Sequence, residues 1–502
     1  MMMRQIMVVV GFVLVFGACG EEEAGPNDNG ITVLPDMGSN TQDMGSDGTD
    51  SDTGEDASQD IPEAEPEFRL VLQPRPLLLA RQEQARITAA LVDDEGGELE
   101  IETIEFTSLN PEIASVDDGG LIFALAPGDA IIQVTANQVY TATIGVTVYT
   151  LYDSLALGEE HSCATKADGR VVCWGANDFA QAGATDEANL VPEEVQVAGE
   201  APGIDVFAGA FHSCVVQTSG VARCWGNNAN GELGDDEGGS RPSATTSLSF
   251  ATAVREAALG DGFTCLKLQD DTLRCVGDNR NQIVESSSVQ TIRSPVITQE
   301  GQEFIEIAAG RAHMCGITPE FRVLCWGDNS AGQLGPMGPD EGSHSPIPLN
   351  TGNYISISAY DDYTCAYSPI VGLECWGESS GGFGEAGVTQ SETPVAVDIP
   401  AGALRDLAVG ADFGCVVVDD NVICWGENSS GQLGDQTTTS RPTAAPAVGG
   451  TGLFPIDCGR AHCCGISQTG DLFCWGENQN GQVGDGSTTD RRVPTYIFPT
   501  AF

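Results

Sequence analysis

Seven cysteine pairs carry the most legible chemistry of this chain: Cys163/Cys173, Cys214/Cys224, Cys265/Cys275, Cys315/Cys325, Cys365/Cys375, Cys415/Cys424 and Cys464/Cys474. Suppose each pair faces itself across a β-hairpin. Counting inward from Cys163 and Cys173 leaves the loop Ala167-Asp168-Gly169, and the same count gives Thr218-Ser219-Gly220 and Gln468-Thr469-Gly470. Glycine in the third place suits a type I turn closed by a left-handed residue. The sixth pair is one residue closer and leaves the loop Asp419-Asp420, so a deletion at the turn preserves the register of the cysteines. Directly opposed residues on antiparallel strands have Cα atoms about 4.5–5.5 Å apart, within reach of a disulfide. The spacing predicts seven disulfides, with seven pairs of buried thiols as the alternative. Zinc is the weaker reading, because paired zinc cysteines usually stand about two to four residues apart. Cys458 and Cys463 occur only in the last copy, beside His462 and Cys464. An eighth bridge between them would close a short loop; a buried small residue at 458 is the plainer reading, and a His/Cys metal site is the third.

A second recurring column reads His161, His212, Phe263, His313, Tyr363, Phe413 and His462. Histidines in a ring suggest metal ligation, but Phe and Tyr neither coordinate zinc well nor shuttle protons like His. Aromatic packing is the reading that covers all seven. No catalytic, cofactor-binding or metal residue is expected. The chain shows no Ser elbow, no phosphate-cradling glycine loop and no His-Glu-x-x-His.

The elements that position these residues repeat. The second cysteine of each pair recurs at steps of 51, 51, 50, 50, 49 and 50 residues, and all six tryptophans follow it directly: Trp174, Trp225, Trp326, Trp376, Trp425 and Trp475. Val276 stands in the third copy. Each copy reads as an apolar strand ending in Gly, the aromatic column, the Cys strand, the Cys-Trp-Gly strand, a polar Asn/Gly loop and a last short strand. Four short strands per fifty residues, seven times, predict a seven-bladed β-propeller over 150–502. Tryptophan, on the sheet face opposite its neighbouring cysteine, should pack between blades. The segment Cys474-Trp475-Gly476-Glu477-Asn478 through Gly481-Gln482-Val483-Gly484, with its copies from Cys325 and Cys424, closely resembles the regulator of chromosome condensation repeat. Copies three and five depart most, through Val276, Asn281-Gln282-Ile283-Val284, Tyr360 and Gly382-Phe383-Gly384, and are expected to have distorted loops.

Ahead of the array, Arg4, an apolar run from Ile6 to about Phe16 and Gly17-Ala18-Cys19 form a signal segment at 1–18. It is too short to span a membrane. It resembles a bacterial lipoprotein signal, which implies lipidation of Cys19, an outer-membrane anchor and a periplasmic or surface location; an ordinary secretory peptide is the alternative. Export places the cysteines in an oxidising compartment. Residues 19–67 hold fifteen acidic and no basic residues and read as a disordered tether, without the calcium-loop spacing of an EF-hand. Residues 68–149 alternate apolar and polar in short runs, Phe68–Leu72, Ala85–Leu91, Ile131–Thr135 and Ile144–Val148, as a small β-sandwich does. Thr107–Val116 and Gly120–Ala130 resemble the bacterial Ig-like group 2 family, which implies a spacer or adhesion unit.

The chain has 73 acidic against 21 basic residues; setting aside the tether leaves 58 acidic, enough to repel a nucleic-acid backbone. The nucleotide exchange and chromatin binding of the eukaryotic namesake of the repeat are not expected in an exported acidic chain. The leading expectation is a non-enzymatic, monomeric binding protein that takes a protein or glycan partner with a basic surface. Its contacts would come from long variable loops at Asp186–Gln196, Asp235–Ser247, Pro336–Asn350 and Thr437–Gly449. An enzyme or lectin-like protein with its site in the channel is the second reading, which a carboxylate cluster with raised pKa values at one channel mouth would favour. A structural surface component is the third.

Overall fold

The computed structural model describes residues 68–497 apart from 74–76, 81–83, 94–95, 127, 150, 184–187, 350–351 and 384–387. Cys19, the signal segment and the tether lie outside the described residues. No described residue is helical.

The Ig-like region forms three sheets: Arg69–Gln73 with Thr88–Val92 and Glu98–Leu99; Leu77–Ala80, Tyr140–Tyr149, Gly128–Ala136 and Ile104–Ser108; and Gln84–Arg86, Leu121–Ala124 and Ala114–Val116. Alternation decides the core, since Ala130, Ile132, Val134 and Ala136 of one strand all point inward. The apolar run Ala85–Leu91 divides at Ile87 rather than forming one strand. Its first part pairs with Leu121–Ala124 and its second with Arg69–Gln73, while the Ile87 amide donates to the Gly120 carbonyl at 2.8 Å. The break lets one run serve two sheets with Ile87 and Leu91 both buried.

The array forms seven four-stranded antiparallel sheets, each in chain order. The first strands, such as Tyr152–Leu157 and Gly203–Ala208, pack against one another around an axis, and Tyr152–Leu157 also meets Leu453–Cys458 of the seventh sheet, closing the ring. Each second strand lies between two neighbouring blades. His161–Lys166, His212–Gln217, Phe263–Leu268 and Phe413–Val418 are therefore buried along their whole length.

The hairpins keep the cysteine register. Cys163 pairs with Cys173 and Cys464 with Cys474, and each joined pair has Cα atoms 4.1 Å apart. Gly169, Gly220 and Gly470 take the left-handed conformation at φ 84°, 79° and 83°. In copies three and four Asp271 and Phe321 occupy that place at φ 62° and 61°, so the turn demands the conformation even where glycine is absent. The supposed long loops are shorter than the sequence suggests. Asn189–Glu194, Arg241–Leu248, Ser343–Pro348 and Arg441–Thr451 are the outermost strands of their blades. An edge strand with one partner and small or proline residues carries too little apolar alternation to be read as a strand.

The repeated polar residues join blade to blade. Asn478 accepts the Val483 amide at 2.9 Å, and Asn428, Asn329, Asn279 and Asn228 do the same in their copies. This fixes the peptide group and aims its carbonyl, that of the preceding residue, toward the next blade. There it accepts an indole N–H: Trp174 to Gln482 at 2.8 Å, Trp225 to Gln181, Trp376 to Gln333 and Trp475 to Gln432, each at 2.9 Å. Copy three keeps this frame despite its altered residues, with Trp326 donating to Ile283 at 3.1 Å. In copy five Ser379 replaces the asparagine and its buried hydroxyl has no partner among the described residues, so the side-chain brace is lost there.

Packing alone does not account for the histidine column. His161, His212 and His313 meet the hydroxyls of Ser213, Thr264 and Thr364 in the next blade at 2.8 Å, and His462 meets Ser162 at 2.9 Å across the closing seam. Ser162 donates onward to the Gln482 carbonyl, so Nε2 of His462 carries the proton. Burial lowers these imidazoles to about 3, and to about 4 in His313. Their folded values lie below the ordinary 6.5, so their stabilisation is complete above pH ~6.5 and is lost as pH falls toward ~4. Glu232 opposes this, because burial raises it to about 7 and its contribution fades as pH rises from ~4.5. The carboxyls of Asp153, Glu159, Asp261, Asp361 and Glu477, also raised by burial, act in the same direction as Glu232, but the four deeply lowered imidazoles outweigh them. The urea midpoint should therefore be lower at pH 5 than at pH 7.5, and an equal or higher midpoint at pH 5 would contradict neutral buried histidines.

Candidate functional site

With the repeated residues engaged in the frame, a site must come from positions where the copies differ. The turn from first to second strand supplies one. After the leading residue (Gly158, Gly209, Gly260, Gly310, Tyr360, Gly410, Gly459) the copies read Glu159, Ala210, Asp261, Arg311, Asp361, Ala411 and Arg460. Close approach requires the glycines: a Cβ on Gly459 would lie 2.2 Å from the Gly158 carbonyl oxygen. Backbone hydrogen bonds run blade to blade around the axis at this level, including Asp261 to Arg311 at 3.1 Å, Arg311 to Asp361 at 2.8 Å and Arg460 to Glu159 at 3.3 Å. These bonds hold the ring of side chains in place.

The ring surrounds an axial cavity of about 190 Å³ whose wall includes Leu157, Ala208, Leu259, Ala309, Val409 and Cys458. Tyr360, in place of glycine, also lines it. Arg311 pairs with Asp361 at 2.8 Å and also with Asp362; Arg460 reaches Glu160 at 3.2 Å and Glu159 at 3.9 Å. Asp261 forms no ion pair among the described residues, although the guanidinium groups of Arg311 and Arg280 act on its carboxyl against the effect of burial. Burial raises the carboxyls of Glu159, Asp261 and Asp361 above their ordinary values, and Asp362 adds to the effect on Asp361. Glu159, Asp261, Asp361 and Asp457 thus share the cavity wall with Arg311 and Arg460, while Asp412 acts on Asp361 and Arg280 acts on Asp261 from beside it. The sequence signal was present in that variable column after the glycine, but only the ring shows that its members meet.

His161 pairs with Gly175, so the mouth and the loops after the Cys-Trp-Gly strands share one face of the ring. An aromatic pair, Phe179 and Phe211, with centroids 5.2 Å apart, lies there too, and Phe179 is exposed. Much of the acidity of the loops is spent internally. Asp235 pairs with Arg241 at 2.8 Å, and Asp435 and Asp485 bind Arg441 and Arg491 while also accepting from Asn428 and Asn478.

All fourteen paired cysteines are joined as the hairpin count pairs them, by Cys163–Cys173, Cys214–Cys224, Cys265–Cys275, Cys315–Cys325, Cys365–Cys375, Cys415–Cys424 and Cys464–Cys474, and Cys458–Cys463 forms an eighth bridge. Sulfurs of Cys415, Cys458 and Cys463 gather within 4.8 Å, but as bridged sulfurs they offer no thiolate to a metal.

Residues 152–181, 204–232, 304–333, 404–432 and 456–482 match the regulator of chromosome condensation (RCC1) repeat, 419–466 match a second model of that repeat, and 84–146 match the bacterial Ig-like domain (group 2). The chain carries RCC1 repeats behind a group 2 Ig-like domain. The matched repeats fall in blades one, two, four, six and seven of this RCC1-like array. Among curated proteins the chain is similar to the human probable E3 ubiquitin-protein ligase HERC6, 26% identical over 40% of this chain and 20% of that one. It is also similar to human HERC2, at 25% over 61% and 6%, and to the mitochondrial RCC1 domain-containing protein RUG3 of Arabidopsis thaliana, at 28% over 36% and 43%. The chain thus spans a fifth or less of the two ligases and under half of RUG3. Among solved structures, yeast RCC1 (Prp20) bound to Kap60 superimposes with a TM-score of 0.59 at 18% identity, over 66% of this chain and 84% of that one. Prp20p of Saccharomyces cerevisiae, described with its binding to Gsp1p and histones, gives 0.59 at 19%, over 70% and 88%. At that identity the likeness is one of fold.

Proposed function

We propose that this chain is a non-catalytic recognition protein that takes a basic partner, protein or glycan, at the acidic channel mouth. The observation that carries the reading is the convergence of Glu159, Asp261, Asp361 and Asp457 with only Arg311 and Arg460 on the wall of one axial cavity, with Asp261 outside every ion pair among the described residues. A cavity of about 190 Å³ is small beside pockets of roughly 300–1,000 Å³ that enclose drug-sized ligands. It suits one inserted side chain, with an aliphatic stem against Leu157 and Leu259 and a cationic end at the carboxylates. Phe179 and Phe211 beside the mouth would supply the apolar anchor such interfaces use.

Oligolysine binding to the full chain, read by fluorescence anisotropy, tests this. Asp261→Lys should weaken it about tenfold or more, roughly 1.4 kcal/mol, while Glu105→Lys in the Ig-like domain leaves it unchanged. Equal losses in both would reduce the effect to overall charge. The raised carboxyls of Glu159, Asp261 and Asp361 favour a second reading, a small ligand or substrate held in the channel. Glycan binding or turnover abolished by Glu159→Gln, with oligolysine binding retained, would select it.

The same proposal places the chain outside the cytoplasm as a monomer anchored through lipid on Cys19, with the acidic segment and the Ig-like domain as spacer. It also excludes nucleic acid as a ligand by charge. Cys19→Ala should move the protein from the detergent phase to the aqueous phase in a cloud-point partition. Detergent partitioning that persists in the variant would remove the anchor from the proposal.

A further inference from the structure

Blade seven holds a bridge that the other blades lack. Cys458 ends its first strand and borders the axial cavity; among the described residues no other bridge lines that cavity. Its mate Cys463 stands opposite it, in the place where blade one has Ser162. Ser162 reaches back to the preceding blade, and Cys463 does likewise: its Sγ lies 3.9 Å from Sγ of Cys415 in blade six. Cys415 is itself bridged to Cys424. Four sulfurs therefore run from the cavity into the seam between two blades.

We propose that Cys458–Cys463 and Cys415–Cys424 form a two-step thiol–disulfide exchange site, opened by a small thiol that enters the axial cavity. In the first step the incoming thiolate bonds to Sγ of Cys458, the Cys458–Cys463 bond breaks and its electron pair leaves on Cys463. In the second, the Cys463 thiolate bonds to Sγ of Cys415, the Cys415–Cys424 bond breaks and Cys424 leaves as thiolate, to be protonated. A second small thiol attacks the mixed disulfide and frees Cys458 as a thiol. Two small thiols are oxidised to one disulfide, Cys458 and Cys424 end reduced, and Cys415–Cys463 now ties blade six to blade seven. Exchange rates depend on access to the attacked sulfur and on the next sulfur being in contact. The other six bridges meet neither condition: their sulfurs are buried away from the cavity.

The test uses the full chain and L-cysteine at about two equivalents, quenched with N-ethylmaleimide and mapped by mass spectrometry. Labels or mixed disulfide at Cys458 and Cys424, with a Cys415–Cys463 linked peptide, should form about tenfold faster than Cys163–Cys173 opens. Opening of all eight bridges at similar rates would overturn the proposal, and so would a label on Cys463 without the Cys415–Cys463 peptide. Cys463→Ser places there the residue blade one already uses, so the fold should tolerate it. In that variant Cys415–Cys424 should open no faster than Cys163–Cys173, and continued early opening would overturn the relay.

Discussion

Full reduction of the bridges should lower the melting temperature of the array by more than about 10 °C. Each repeat bridge closes a loop of about eleven residues, contributing roughly 2–3 kcal/mol in the chain-entropy model. The bridges lie in clusters shared by adjacent blades, as Cys415, Cys424, Cys458 and Cys463 do, so their contributions will not add fully. Extrapolating the size scaling to about 1–2 °C per kcal/mol, half-additive bridges still give a shift of that order. The cysteines are fully buried, and after reduction each blade must hold two thiols where one bond stood. Calorimetry in excess phosphine, with the thiols counted by mass spectrometry, reads the effect. An unchanged melt of a verifiably reduced chain would remove the bridges from the account of stability.

The second large effect is expected at the closing seam. Trp174→Ala should destabilise the array by about 3–5 kcal/mol, the range for deleting a buried Trp or Phe. The indole is fully buried in a cluster shared by blades one and seven, with Leu472, Cys474, Val483 and Ile497, and it donates to the Gln482 carbonyl. Gly484 packs so closely on the ring that a Cβ there would sit 2.7 Å from the indole nitrogen, so the indole fills its site without slack. Among the described residues no disulfide links the blades this seam joins. Its other ties are side-chain and backbone contacts such as His462 to Ser162, Asn480 to Glu160 at 2.8 Å and the Tyr152 amide to the Gly470 carbonyl at 2.9 Å. Urea unfolding measures the loss, and hydrogen exchange should quicken in blades one and seven together. A loss under about 1 kcal/mol, ordinary for a surface change, would mean that ring closure does not depend on this tryptophan.

The residues divide into those read locally and those read only in the ring. Turn chemistry made the hairpins legible: Gly169, Gly220 and Gly470 announce a left-handed third position, and the one-residue deletion at Asp419-Asp420 keeps Cys415 opposite Cys424. The histidine column shows the opposite case. Phe and Tyr among its members argued for packing, yet the hydroxyl each imidazole meets stands about fifty residues further on, or 300 residues back for His462, in a position whose identity (Ser213, Thr264, Thr364, Ser162) has no local meaning. The acidic loops misled for the same reason, since Asp435 and Asp485 find arginines that only the folded loop brings round.

By itself the amino-acid order determined the all-β class, the RCC1 repeats and the Ig-like unit ahead of them, because period, alternation and turn residues act over a few neighbours. Which unrepeated side chains converge was decided by tertiary structure alone. Glu159, Asp261, Arg311, Asp361 and Arg460 stand in successive steps of about fifty to a hundred residues, with about three hundred between the paired ends Glu159 and Arg460, and share one mouth only because the blades close around an axis. Cys463 meets Cys415 only because adjacent blades press a second strand against the one before it. Charge and sulfur chemistry depend on separations of a few ångströms, which the closed ring sets and distance along the chain does not.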